Sequence, residues 1–333
     1  MRYLATLAGL VLTAAQGVAI ARWNGDPLQN NNPPARNVEM PEGIRNSVVR
    51  VRTSYAVQGV ETLTLGSGVV LRAMRDEGAD TGWLCVLTSA HETLFPDGVF
   101  LRRHAIGFGN GGERDFPLFS RQNRFFPFPR QGNENRVDLA ILGIRVTDWN
   151  TQVPRVLTPP TIAGEMRGDV VHAAYGATGR VDVENREYII TRDPFGTFRS
   201  GTNIVDSVVD HTTGIHQRTG ERFSYRALQS DMDFRLDGKG RPIAADSHSL
   251  NGDSGGPTFQ VQDRQWRLVG IMGESEQTAR GTIIEGADMW DVRVATYEEW
   301  ITATCNAVPE PGTLVVLVGG VGALLFRRGS RAR

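Results

Sequence analysis

Short runs rich in Val, Ile, Leu and Thr alternate with clusters of Gly, Pro and Asn along most of this chain, and no long amphipathic helical pattern occurs before Ala295. Branched apolar residues suit a pleated, half-buried strand, while Gly and Pro end strands and open turns. The strand-like runs cover residues 47–52, 62–65, 68–71, 83–88 and 139–146. After a proline-bearing stretch at 153–160 come 170–175, 188–191, 222–228 and 266–272. Two strand-rich halves joined by such a connector predict an all-β protein built from two small antiparallel barrels or sandwiches. Residues 295–301 have helical composition and predict a short C-terminal helix. The halves are expected at about 46–152 and 161–294, with the helix at about 295–304.

Of the 333 residues, 40% are hydrophobic, enough for a sizeable core. The formal net charge of −1 gives no basic surplus, so nucleic acid is not an expected partner. Cys85 and Cys305 are the two cysteines. The pattern leaves a disulfide between them and a free, buried Cys85 equally open. Neither stands at ligand spacing from another Cys or a His, so no metal site is expected.

The two ends read as targeting signals. Met1-Arg2-Tyr3, an apolar run and small residues at Ala19 and Ala21 have the form of a secretory signal peptide over residues 1–21. Residues 22–45, with Asn-Asn-Asn-Pro-Pro at 30–34, read as a linker or pro-segment. At the other end, Val308-Pro309-Glu310-Pro311-Gly312 precedes an apolar run at 314–326 and an arginine cluster at 327–333. This order of parts resembles the PEP-CTERM sorting signal of bacteria, expected over residues 306–333. The resemblance implies a transient membrane anchor with its basic end in the cytoplasm, which an exosortase-type enzyme removes. It also implies export through an inner-membrane-anchored precursor to the cell surface or beyond; a permanent tail anchor is the alternative.

Gly252-Asp253-Ser254-Gly255-Gly256-Pro257 carries the chemistry. A serine between glycines can sit on a sharp turn with its hydroxyl exposed and its neighbouring N–H groups available to an oxyanion. Serine alone is a weak nucleophile and needs a base held by a carboxylate. None of the six histidines (91, 104, 172, 211, 216 and 248) follows Ser254, which excludes the α/β-hydrolase order. His91 stands where the apolar run 83–88 emerges into a loop, whereas His104, His211 and His216 read as solvated. Asp138 directly precedes the apolar run 139–146, a position for a buried imidazole partner.

Thr88-Ser89-Ala90-His91, Asp138-Leu139-Ala140-Ile141-Leu142 and the Ser254 motif together resemble the chymotrypsin-like serine proteases, over residues 46–303. The resemblance implies two six-stranded antiparallel barrels and a secreted serine endopeptidase acting on protein or peptide substrates without a cofactor. Ser254 would be the nucleophile, His91 the base and Asp138 its orienting acid, with an oxyanion hole at the amides of Gly252 and Ser254. The alternative is a catalytically silent module of the same fold that binds a partner at the cell surface.

The chain departs from that pattern in several places. Glu92 follows His91 where animal trypsins carry cysteine. No Ile-Val-Gly-Gly-like site precedes the first strand, so pairing of a new N-terminus with Asp253 is in doubt. The wall strand around Gly273 and Glu274 lacks Ser-Trp-Gly, placing an acid beside the substrate groove. His248, six residues before Ser254, stands at the floor of the specificity pocket, where it either reads acidic side chains when protonated or is structural. Residues 177–247 are expected to be enlarged loops, and Asp231, Asp233 and Asp237 have incomplete calcium-ligand spacing.

Overall fold

The computed structural model describes residues 38–57, 60–94, 101–109, 124–130, 134–182, 187–191, 198–216, 219–236, 242–278 and 282–308. The expected signal peptide, most of the linker and nearly all of the sorting segment lie outside the described residues. Among the described residues no helix is long and apolar enough to cross a membrane.

The protein is all-β, with two antiparallel sheets and a C-terminal helix. The first sheet contains β1 (Val48–Val57), β2 (Val60–Arg75), β3 (Gly82–Thr88), β4 (Leu101–Gly107), β5 (Arg124–Pro127) and β6 (Ala140–Val146). Their order is β4-β1-β2-β3-β6-β5, and the sheet curls enough to bring β4 against β6. The runs expected at 62–65 and 68–71 are one strand, because pairing with β1 continues through the intervening Gly66-Ser67.

Every residue of β3 is buried, and its alternating side chains feed two clusters. Leu84 and Val86 pack with Val49, Val70, Leu142 and Ile144 inside the first sheet. Cys85 and Leu87 point the other way, into a cluster that includes Ala173, Phe259 and Ile271 of the second sheet. Burial on both faces explains why β3 reads as a continuous apolar run. Each fully buried leucine contributes about 1.5–3 kcal/mol relative to exposure.

The second sheet is formed by β7 (Thr161–Ile162), β8 (Asp169–Ala174), β11 (Arg199–Ile204), β12 (Ser207–Thr212), β13 (Ser224–Asp231), β16 (Pro257–Gln262), β17 (Gln265–Ser275) and β19 (Asp288–Arg293). Seven run in the order β11-β8-β16-β17-β19-β13-β12, with β7 parallel to β17. This departs from the six strands implied by the resemblance. The segment expected as enlarged loops holds strands: β9 (Thr178–Asp182) and β10 (Glu187–Thr191) join β18 (Thr282–Ile284), and β14 (Phe234–Leu236) pairs with β15 (Pro242–Ala245).

Three short helices, α1 (Glu42–Arg45), α2 (Ala90–Thr93) and α3 (Trp149–Gln152), punctuate the connections. Residues 38–45, read as the end of a linker, are packed: Met40 and Ile44 are buried and Gly43 accepts a hydrogen bond from the Thr158 amide. A turn of 3-10 helix at Val294–Tyr297 leads into α4 (Glu298–Ala307). Tyr297 and Trp300 enclose Phe128, and a disulfide joins Cys305 of α4 to Cys85 of β3, resolving the open question of their pairing.

Candidate active site

Strands β3 and β6 pair antiparallel with Thr88 opposite Ala140. The chain leaving β3 therefore passes the chain entering β6, which sets α2 beside residue 138. His91 Nδ1 lies 2.6 Å from Asp138 Oδ2, and the His91 backbone N–H donates to Oδ1 at 2.8 Å. The carboxylate is 1% exposed and the histidine 8%. Burial pushes the Asp138 carboxyl up, but the His91 charge, its two hydrogen bonds and His216 outweigh this and hold it below the ordinary 3.8. An ionised Asp138 places the proton of a neutral imidazole on Nδ1 and leaves Nε2 as the basic atom.

Ser254 sits on a turn anchored to the first sheet by Ser67. The Ser67 hydroxyl donates to the Gly252 carbonyl at 3.0 Å and accepts from the Tyr175 amide, while its own amide donates to the Ser254 carbonyl at 2.8 Å. Gly255 has φ +83°, and a Cβ there would stand 2.2 Å from Thr88 Oγ1 and 2.3 Å from the Ser67 carbonyl. Glycine thus lets the turn nest on the end of β3, three residues before His91. A Cβ on Gly66 would likewise meet the Ser254 carbonyl at 3.1 Å and Glu92 Cγ at 3.0 Å, so Gly66 makes room for both. Among the described residues, no protein acceptor is recorded for the amides of Gly252 or Ser254.

Asp253, adjacent to the serine, is fully buried and accepts from the amides of Gly176 and Leu250, both at 2.8 Å. Its counter-ion is Arg199 of β11, 1% exposed, with Nη2 at 3.5 Å. Burial pushes the Asp253 carboxyl up to about 6, against the opposing pull of Arg199 and the two amides.

A cavity of about 300 Å³ opens beside the His91–Asp138 pair. Residues 213–216, Phe223, Gly273 and Glu274 line it together with His91 and Asp138. His248 is fully buried and absent from the cavity lining, with its ring nitrogens 3.2 and 3.3 Å from the carbonyls of Ser249 and Asp288. Burial pushes its imidazole down to about 4, against the opposing pull of the neighbouring carbonyls.

Two histidines expected in solvent belong to this neighbourhood. The His216 ring lies 5.1 Å from that of His91, and His211 stacks on Trp290 at 4.3 Å with Nε2 2.7 Å from Glu274 Oε2. Glu92 also approaches His91, its Oε1 3.6 Å from Nε2. A second His–carboxylate pair, His172 with Asp291 at 3.0 Å, is sealed in the core and ties β8 to β19, with Ser247 on its other nitrogen. Sequence reasoning missed Arg199 and Ser67 as site residues. Ser67 had a signal, a polar residue between two glycines inside a strand; Arg199 had none. Among the described residues no group of His, Cys, Asp or Glu is arranged to hold a metal ion, and the Asp237 end of the calcium-like stretch lies outside them.

No family model matches the chain, and no curated protein does. Among solved structures the chain is similar to the Rv3671c protease from M. tuberculosis in its active form, at 18% identity and a TM-score of 0.40. That match covers 86% of this chain and 92% of the other.

Proposed function

We propose that the protein is an exported serine endopeptidase in which Ser254 is the nucleophile, His91 the general base and Asp138 the group that orients it. The observation that carries this reading is the bidentate hold of buried Asp138 on His91, at 2.6 and 2.8 Å. The serine turn nested on the same strand end supports it.

Ser254 Oγ attacks the carbonyl carbon of the scissile peptide bond and its proton passes to His91 Nε2. The resulting oxyanion accepts hydrogen bonds from the amides of Gly252 and Ser254. The tetrahedral intermediate then collapses, the C–N bond breaks, and the leaving amine takes the proton from Nε2. Water, deprotonated by His91, hydrolyses the acyl-enzyme and restores the serine. No cofactor enters these steps. In the same proposal residues 1–21 direct export. Residues 306–333 anchor the precursor transiently in the inner membrane until an exosortase-type enzyme releases it to the surface or medium.

The Glu92 contact with Nε2 favours a second reading. A carboxylate there stabilises the imidazolium, which cannot act as a base, as suits a silent module that binds a partner in the cleft. Labelling with a fluorophosphonate separates the two. The peptidase reading expects covalent modification that disappears in Ser254→Ala, with turnover about a million-fold lower in that variant. A folded wild-type protein that stays unlabelled points to the silent module.

A further inference from the structure

The cavity beside His91 has a composition that selects among side chains. Part of its lining is apolar: Ile215, 61% exposed, and Phe223, whose ring lies edge-on to His91 at 6.3 Å. Another part is acidic. Glu274 has a side chain 38% exposed and one oxygen held by His211, which is itself pinned by stacking on Trp290. Among the described residues no protein donor is recorded for the second oxygen of Glu274. The charged and titratable groups lining the space are the carboxylates of Asp138 and Glu274 and the imidazoles of His91 and His216. With neutral imidazoles its net charge is negative.

We propose that this cavity is a subsite for a lysine or arginine side chain of a bound peptide, with Glu274 as its counter-ion. The inference rests on the reading of the cleft as a peptide-binding site and adds the chemical class of the peptide. A basic side chain is amphipathic in the same sense as the cavity. Its methylene stem covers Ile215 and Phe223, and its cationic head reaches the unpaired oxygen of Glu274 in a charge-assisted hydrogen bond. An acidic side chain would face two carboxylates. A purely apolar one would cover the Glu274 carboxylate without pairing it, and that desolvation is unfavourable. Glu274 is thus a specificity-determining residue, in a role His248 cannot fill from its buried position.

The test uses full-length protein carrying Ser254→Ala, immobilised and offered degenerate peptide pools. The pools are identical except for one fixed residue: arginine, its neutral isostere citrulline, or glutamate. Retained peptide is quantified by mass spectrometry. The arginine pool is expected to be retained about tenfold more than the citrulline pool, with the glutamate pool weakest. Glu274→Gln brings the arginine-to-citrulline ratio to about one, and Glu274→Lys shifts retention towards the glutamate pool. Equal retention of arginine and citrulline pools, a ratio that survives Glu274→Gln, or retention of no pool at all overturns the proposal. Fluorophosphonate labelling of the wild type reads the catalytic step separately. An unlabelled protein that still prefers arginine fails the peptidase reading but keeps this one, and a labelled protein without the preference does the reverse.

Discussion

Asp138 is the residue whose chemistry is most tightly prescribed by its surroundings. An isolated buried carboxylate is unfavourable, and Asp138 is tolerated because His91 supplies both a backbone and a ring donor. Asp138→Asn keeps the shape but can present an N–H to Nδ1, which favours the tautomer with its proton on the wrong nitrogen. Steady-state kinetics of that variant should show kcat lowered by about 10⁴-fold with the fold retained; a loss below about tenfold would show that the orienting acid lies elsewhere. His91 and Asp138 were legible because each flanks an unmistakable apolar strand. His211 and His216 were not, because polar loop surroundings conceal that their rings fold back onto Trp290 and His91.

Strand β11 acts on the serine turn through one side chain. Arg199 and Asp253 are both buried, and removing one partner leaves the other charge without compensation. Arg199→Met is expected to cost about 3–5 kcal/mol in chemical denaturation. Its pH dependence follows from the direction of the Asp253 shift, raised from 3.8 to about 6. The folded state keeps this proton where the unfolded chain has lost it. The contribution of Asp253 to stability is therefore greatest below the unfolded value and is lost as pH rises through about 6. Above that point the carboxylate depends on Arg199. The stability gap between wild type and Arg199→Met should accordingly widen as pH rises from about 5 to about 7.5, and a gap independent of pH would contradict the pairing. If the arginine stands in for a cleaved N-terminus, the variant should also lose fluorophosphonate labelling.

The first sheet and the C-terminal helix are covalently one unit. Cys85 and Cys305 are 220 positions apart in sequence, and their Cα atoms are 5.6 Å apart. A crosslink closing so long a loop restricts the unfolded chain strongly, and its removal is expected to cost about 2–5 kcal/mol. Cys305→Ser should be destabilised by about this amount, and adding Cys85→Ser should cost more, because it buries a hydroxyl in the apolar interior of β3. Denaturation that leaves both variants at wild-type stability would show the bond to be dispensable.

The all-β class, the terminal helix and the placing of His91 and Asp138 beside the ends of apolar strands follow from the chain itself. Strand periodicity, Gly-rich turns and residues flanking apolar runs are local properties, written in consecutive residues. Gly273 and Glu274 were singled out only through the family resemblance of their strand, β17. Other features needed the packed protein. The partner of Asp253, the anchoring of the serine turn by Ser67, the burial of His248 and the joining of Cys85 to Cys305 all link residues far apart in sequence. Such contacts depend on how the sheets curl and meet, and burial at those meetings decides which polar side chains are charged, which are neutral and which face the cleft.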